Sequence, residues 1–152
     1  MVLMSTSTKQ IKLHFRKFEN PDLVDLDIGI IRLFCEVAFV SRNGYTDSYS
    51  AILDTGAPVS VIPFHIWSMS EVKKIKEYSV SGIVPKQECS FPVTVGEVSC
   101  ILLDEEESTN SIKVKSYLAH TDEIPLIIGF KDILDNFGLY LNFKKNIAYL
   151  EY

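Results

Sequence analysis

The sequence predicts an all-β fold, a closed barrel of short strands carrying one or two short helices. Three observations lead there. Short strand patterns recur between turn residues at close intervals. Ile11 to Phe18 alternates apolar and polar residues at period two, as a half-buried strand does. Leu126-Ile127-Ile128 is short and wholly apolar, the pattern of a strand buried on both faces.

The elements follow in order. Asn20-Pro21-Asp22 marks Glu19 to Gly29 as a loop, and Ile30 to Val40 is a long apolar strand. Asn43-Gly44 turns the chain, since both residues tolerate positive φ, and the return strand runs from Tyr45 to Leu53. Val59 to Ile62 is a short strand. Pro63 can open a brief helix through Trp67. Tyr78 to Val84 and Phe91 to Val95 are strand candidates around Pro85 to Glu88. Val98 to Leu103 and Ile112 to Ala119 flank the acidic turn Asp104 to Glu107. Lys131 to Phe137 fits a short helix, with Gly138 placed to end it. Leu139 to Phe143 and Ile147 to Tyr152 form a last hairpin around Lys144-Lys145-Asn146.

Size and composition narrow the function. A chain of 152 residues suits one domain, read as 11–152 behind a disordered segment 1–10 rich in Ser and Thr. Fifteen Lys and Arg stand against twenty Asp and Glu, a formal charge of -5, and Lys73, Lys74 and Lys76 read as a solvated cluster. Nucleic acid is a poor partner for such a surface. No apolar run reaches the roughly 18 to 20 residues of a membrane helix, and Met1 to Gln10 lacks the apolar core of a signal peptide. Cys35, Cys89 and Cys100 are odd in number and scattered, which favours reduced thiols in a cytoplasmic protein over disulfides or a zinc site.

One segment carries chemistry. Hydrolysis of a peptide by carboxylates takes two at close range. One is ionised and takes a proton from water; the other is protonated and donates to the carbonyl oxygen. Each must sit in a tight loop at the end of a buried strand. Ile52 and Leu53 bury such a strand, and Asp54 follows. Gly56 lets backbone approach the carboxylate and donate to it, and Ala57 leaves room.

Ala51-Ile52-Leu53-Asp54-Thr55-Gly56-Ala57-Pro58-Val59-Ser60-Val61-Ile62-Pro63, with Pro125-Leu126-Ile127-Ile128-Gly129-Phe130-Lys131-Asp132-Ile133-Leu134 well downstream, resembles the retropepsin-like aspartic protease family, in its cellular single-domain form. The resemblance runs from about Ile30 to Tyr152. It implies an acid-protease barrel with a helix after Ile-Ile-Gly, active as a homodimer in which each protomer supplies one Asp. Asp54 would be the catalytic carboxylate. Thr55 would hydrogen-bond across the two-fold axis, Gly56 would offer its N–H, and Ala57 would support the cleft floor with Ile127, Ile128 and Gly129. A flap would match Ser81-Gly82-Ile83-Val84, with Pro85 to Glu88 near its tip.

The chain departs from the family at three places. The flap region is poor in glycine, and Pro85 stiffens it. The acidic residue and the Arg that pair in many viral members are both absent, with Pro58-Val59 and Phe130 standing there, so apolar contacts are expected in the dimer. Ala57 replaces the hydroxyl residue frequent in pepsin-like relatives, so a mildly acidic optimum is expected rather than one below about pH 3.

Other candidates read more simply. Asp27-Ile28-Gly29 lies too close to Asp54 to head a second lobe and is a loop. His14, His65 and His120 form no ligand or nucleophile spacing with the cysteines, so no metal is expected. Phe64, Ile66 and Trp67 read as core. The leading expectation is a homodimeric aspartic endopeptidase that needs no cofactor, with itself and a peptide or protein substrate as partners. The runner-up is a catalytically silent dimerisation or peptide-binding module. A third possibility is a regulatory protease cutting one dedicated partner.

Overall fold

The structure, a computed structural model, describes residues 8–80 and 91–152. It is mostly β. The strands are β1 (Gln10–Lys12), β2 (His14–Glu19), β3 (Gly29–Ser41), β4 (Gly44–Tyr45), β5 (Tyr49–Leu53), β6 (Ser60–Ile62), β7 (Lys73–Val80), β8 (Phe91–Leu103), β9 (Ile112–Ala119), β10 (Ile127–Ile128), β11 (Gly138–Asn142) and β12 (Ile147–Glu151). Among the described residues the one α-helix is α1 (Phe64–Trp67), which follows Pro63.

The larger sheet runs β2-β3-β5-β10-β6-β9-β8-β7, with β4 appended to β3. Strand β3 also pairs with β8, from Glu36↔Leu103 to Phe39↔Cys100, so the path of pairings from β3 to β8 returns on itself. The smaller sheet is β1-β12-β11. A single apolar cluster joins the two. It includes Ile11 of β1, Val37 and Phe39 of β3, Leu102 of β8, Leu118 of β9, Ile128 of β10 and Leu150 of β12.

Several elements differ from the sequence reading. Ile11 to Phe18 is two strands rather than one. Leu13 breaks the run and donates its N–H to the Ala148 carbonyl at 2.9 Å. The chain before it pairs with β12, and the chain after it pairs with β3. Lys9 and Gln10, expected in the disordered segment, are tied to the C-terminus: Lys9 exchanges backbone bonds with Tyr152, and Gln10 pairs with Glu151.

Strand β7 starts at Lys73, earlier than expected, so the three lysines lie on a strand at the end of the sheet. Exposed lysines suit an edge strand, because they discourage pairing with other chains. Phe91 to Leu103 is one strand, not two. Gly96 does not break it; a Cβ there would stand 2.6 Å from Leu118 Cδ1, so glycine serves close packing with β9.

The helix expected over Lys131 to Phe137 is only a 3₁₀ turn at Leu134–Asn136. Asp132 takes a left-handed φ of 65°, which a helix cannot contain, and its carboxylate accepts the Lys115 N–H at 2.9 Å. Gly138 consequently opens β11 instead of ending a helix. The flap residues Ser81, Gly82, Ile83 and Val84, with Pro85 to Glu88 and Cys89, lie outside the described residues.

Candidate active site

The Asp54 loop is built from three strands that meet at their ends. β5 and β10 run parallel, with Ile52 beside Ile127 and Leu53 beside Ile128. β10 pairs on its other side with β6, Ile127 against Val61. From Ala51 to Leu53 of β5, and throughout β6 and β10, the residues are half-buried or buried, as a strand covered on both faces requires. The Asp54 N–H continues the ladder by donating to the Ile128 carbonyl at 2.9 Å.

From there the chain turns tightly. The Ala57 N–H donates to the Asp54 carbonyl at 3.1 Å, and the Gly56 N–H donates to Asp54 Oδ1 at 2.8 Å. Asp54 is half-buried, while Thr55 and Gly56 at the tip are exposed. Among the described residues the Thr55 hydroxyl has no hydrogen-bond partner, and Asp54 has no cation within ion-pairing distance.

The downstream element clamps the loop from below. Phe130 N–H donates to the Ala57 carbonyl at 2.9 Å, and Lys131 N–H to the Pro58 carbonyl at 3.0 Å. Gly129 is pressed against the loop; a Cβ on it would stand 2.5 Å from the Ala57 carbonyl oxygen. Its own N–H donates to Ser60 Oγ at 3.0 Å. Ser60 is 1% exposed, so this hydroxyl is an internal strut. The sequence reading passed over Ser60; the signal was a single hydroxyl inside the apolar run Val59 to Ile62.

The structure therefore brings together Asp54, Thr55, Gly56, Ala57 and Gly129. Ile128 belongs to the core, and Ile127 is half-buried between Ile52 and Val61. Neither opens onto the depression beside Asp54. That depression has a volume of about 280 Å³ and is walled by Phe15, Leu33, Leu139 and Leu141, with Arg32 and Thr55 at its rim. Arg32 is a second residue the sequence reading passed over.

Other polar groups fall elsewhere. Another depression, about 630 Å³, contains Lys12, His14, Arg16, Glu36 and Asp104 and none of the Asp54 loop. Its polar side chains lie near one another, His14 to Glu36 at 3.6 Å and Lys12 to Glu106 at 4.0 Å. Asp104 lies within the acidic turn. Partial burial would raise its carboxyl, but three backbone donors (Lys12, Glu106 and Glu107) and the Lys12 charge outweigh that and hold it below the usual range.

His65 Nδ1 lies 2.8 Å from Asp122, and the His65 N–H also meets that carboxylate, holding it below the usual range. Trp67 is a core residue that donates its indole N–H to the Ala119 carbonyl at 2.7 Å. Cys35 and Cys100 are free and buried; burial pushes the Cys100 thiol up to about 12 and Cys35 higher still, helped by Cys100 and Glu36. Among the described residues no His, Cys, Asp and Glu cluster could hold a metal, and no helix is long and apolar enough to cross a membrane.

No protein-family model matches the chain, and no curated protein matches it. Among solved structures it is similar to a retropepsin-like aspartic protease from Rickettsia conorii, at 12% identity over 95% of each chain with a TM-score of 0.46.

Proposed function

We propose that the chain is a homodimeric aspartic endopeptidase, in which water is activated between Asp54 of one protomer and Asp54 of its partner. One observation carries the reading. Half-buried Asp54 stands at the end of a strand whose last three residues are buried or half-buried, its backbone held by Ile128 and one carboxylate oxygen held by Gly56. A loop pinned from both sides costs little further ordering when a substrate arrives.

The chain contains one Asp-Thr-Gly, so the second carboxylate comes from a second copy. Two such groups a few ångström apart do not both ionise, and the pair holds one proton. The ionised member takes a proton from water as the oxygen attacks the scissile carbonyl carbon. The protonated member gives its proton to the carbonyl oxygen. Return of a proton to the amide nitrogen then lets the C–N bond break, giving an acid and an amine. The unpartnered Thr55 hydroxyl is available to brace the paired loops, and exposed Phe130, at 42%, suits apolar contact between copies. An extended peptide fits the β-lined approach to Asp54.

The test compares wild type with Asp54→Asn on a denatured protein and a peptide library across pH, with and without pepstatin. Cleavage by the wild type that pepstatin blocks and the substitution abolishes, with dimerisation intact in both, is the expected result. A monomer at working concentration overturns the mechanism. Peptide binding by both proteins without cleavage by either assigns the chain to the silent-module class.

A further inference from the structure

The end of the larger sheet carries a charged face that the proposed hydrolysis does not use. Register defines it. Lys73, Glu97 and Lys115 stand opposite one another across β7, β8 and β9, and a neighbouring row is Lys76, Val95 and Tyr117. Lys113 lies on the same face, two residues before Lys115 and opposite Ser99. Tyr78 joins them, its ring stacked on that of Tyr117 with centroids 5.9 Å apart. The other face of β8 and β9 holds Val98, Leu102, Val114 and Leu118 and belongs to the core.

Four exposed lysines thus share one side of three strands, in a chain whose formal charge is -5. Among the described residues none of the four has a carboxylate within ion-pairing distance. Glu97, half-buried between Lys73 and Lys115, is the one acid in these rows, and Glu71 shares a depression with Lys73 and Glu97. Lys76 faces Val95 and Lys113 faces Ser99, so neither has an acid across the ladder. Asp132 is engaged by the Lys115 N–H at 2.9 Å and by Lys131 Nζ at 3.6 Å. Protection of an edge accounts for lysines on β7. It does not account for Lys113 and Lys115, because β9 lies between β6 and β8. Like charges gathered on neighbouring strands repel, and an anionic partner relieves that repulsion.

The surroundings narrow the partner. Tyr78 is 51% exposed and, with half-buried Tyr117, sets aromatic surface among the ammonium groups. The β7–β8 ladder skips Ile75, and an interrupted edge pairs poorly with another strand, so the face rather than the edge meets the partner. Nucleic acid carries its charge densely and is repelled by the net charge of the chain; an acidic polypeptide carries less per unit length. We propose that this face is a docking surface for an acidic protein segment, rich in Asp and Glu with apolar residues between them. The surface does not depend on the protease reading.

The test measures fluorescence anisotropy of a dye-labelled peptide of Glu, Asp and Leu, beside its Gln, Asn and Leu counterpart and a single-stranded RNA of equal length. Asp54→Asn serves as the background, so that no peptide is cut. The acidic peptide should bind at least about tenfold more tightly than its neutral counterpart, and less tightly as salt rises from about 20 to about 300 mM. Lys76→Glu combined with Lys115→Glu should weaken it about tenfold, since each reversal replaces an attraction with a repulsion. Lys76→Arg with Lys115→Arg should retain binding. Lys144→Glu with Lys145→Glu, which changes the net charge equally on the exposed turn between β11 and β12, should leave it unchanged. Equal binding of the acidic and neutral peptides overturns the proposal. So does equal weakening by the two pairs of reversals, which would reduce the effect to net charge. RNA bound more tightly than the acidic peptide also overturns it and assigns the face to nucleic acid.

Discussion

Gly129 and Ala57, 72 residues apart in sequence, are in backbone contact: a Cβ on Gly129 would meet the Ala57 carbonyl oxygen at 2.5 Å. The obstacle is main chain that also accepts the Phe130 N–H, so it cannot swing aside. Gly129→Ala should therefore push the Asp54 loop out of place. The expected cost is about 1–3 kcal/mol, the usual penalty of overpacking. Thermal unfolding should show a fall of about 2–4 °C for each kcal/mol, with peptide cleavage lost. Unchanged stability would contradict the clamp.

Ser60 tests the same clamp from inside. Ser60→Ala removes the acceptor for the buried Gly129 N–H. An orphaned buried donor costs about 1–3 kcal/mol. Urea unfolding of the two proteins measures the difference; a change within error would mean that another group satisfies the amide.

Asp54→Asn separates chemistry from architecture. Asn keeps an oxygen for the Gly56 N–H, so stability should change by no more than about 0.5 kcal/mol. Turnover should fall by about 10⁴-fold, as when a member of a catalytic unit is removed. Measuring kcat and urea midpoint on one preparation decides whether loss of activity is loss of fold.

Asp104 predicts a pH-dependent term in stability. Its folded carboxyl is held below the unfolded value by the N–H groups of Lys12, Glu106 and Glu107, against partial burial. The stabilisation is present above the unfolded carboxylate value of about 3.9 and is lost as pH falls through the lower folded value. Asp104→Ala should cost about 1 kcal/mol at pH 7, discounted for its exposure, and almost nothing near pH 2. Urea titrations at the two values check it; a difference independent of pH would refute the carboxylate's part.

The buried thiols should be inert. Burial raises Cys35 and Cys100, so neither forms thiolate at neutral pH. In a Cys89→Ser background, Ellman's reagent should find no reactive thiol in the native protein and two after unfolding in urea. Rapid native reaction would show that β3 and β8 open readily.

Sequence pattern alone determined the β class, because period-two alternation and turn residues are local properties. It also singled out Asp54 and Gly56 as candidates, since a carboxylate loop at a strand end demands particular residue types in a row; the Ile127-Ile128-Gly129 element was picked out by the family resemblance. Local pattern tells which way a side chain faces but not which strand lies beside it. The division of Ile11 to Phe18 between two sheets at Leu13 followed from partners more than a hundred residues apart for β1, and from β3 for β2. Phe91 to Val95 and Val98 to Leu103 joined into one strand through Gly96, whose close packing on Leu118 no local pattern shows. The helix after Gly129 shrank to one turn once Asp132 reached Lys115 of β9. Ser60 under Gly129 is likewise a product of register, and register belongs to pairs of distant strands, which only the tertiary structure brings together.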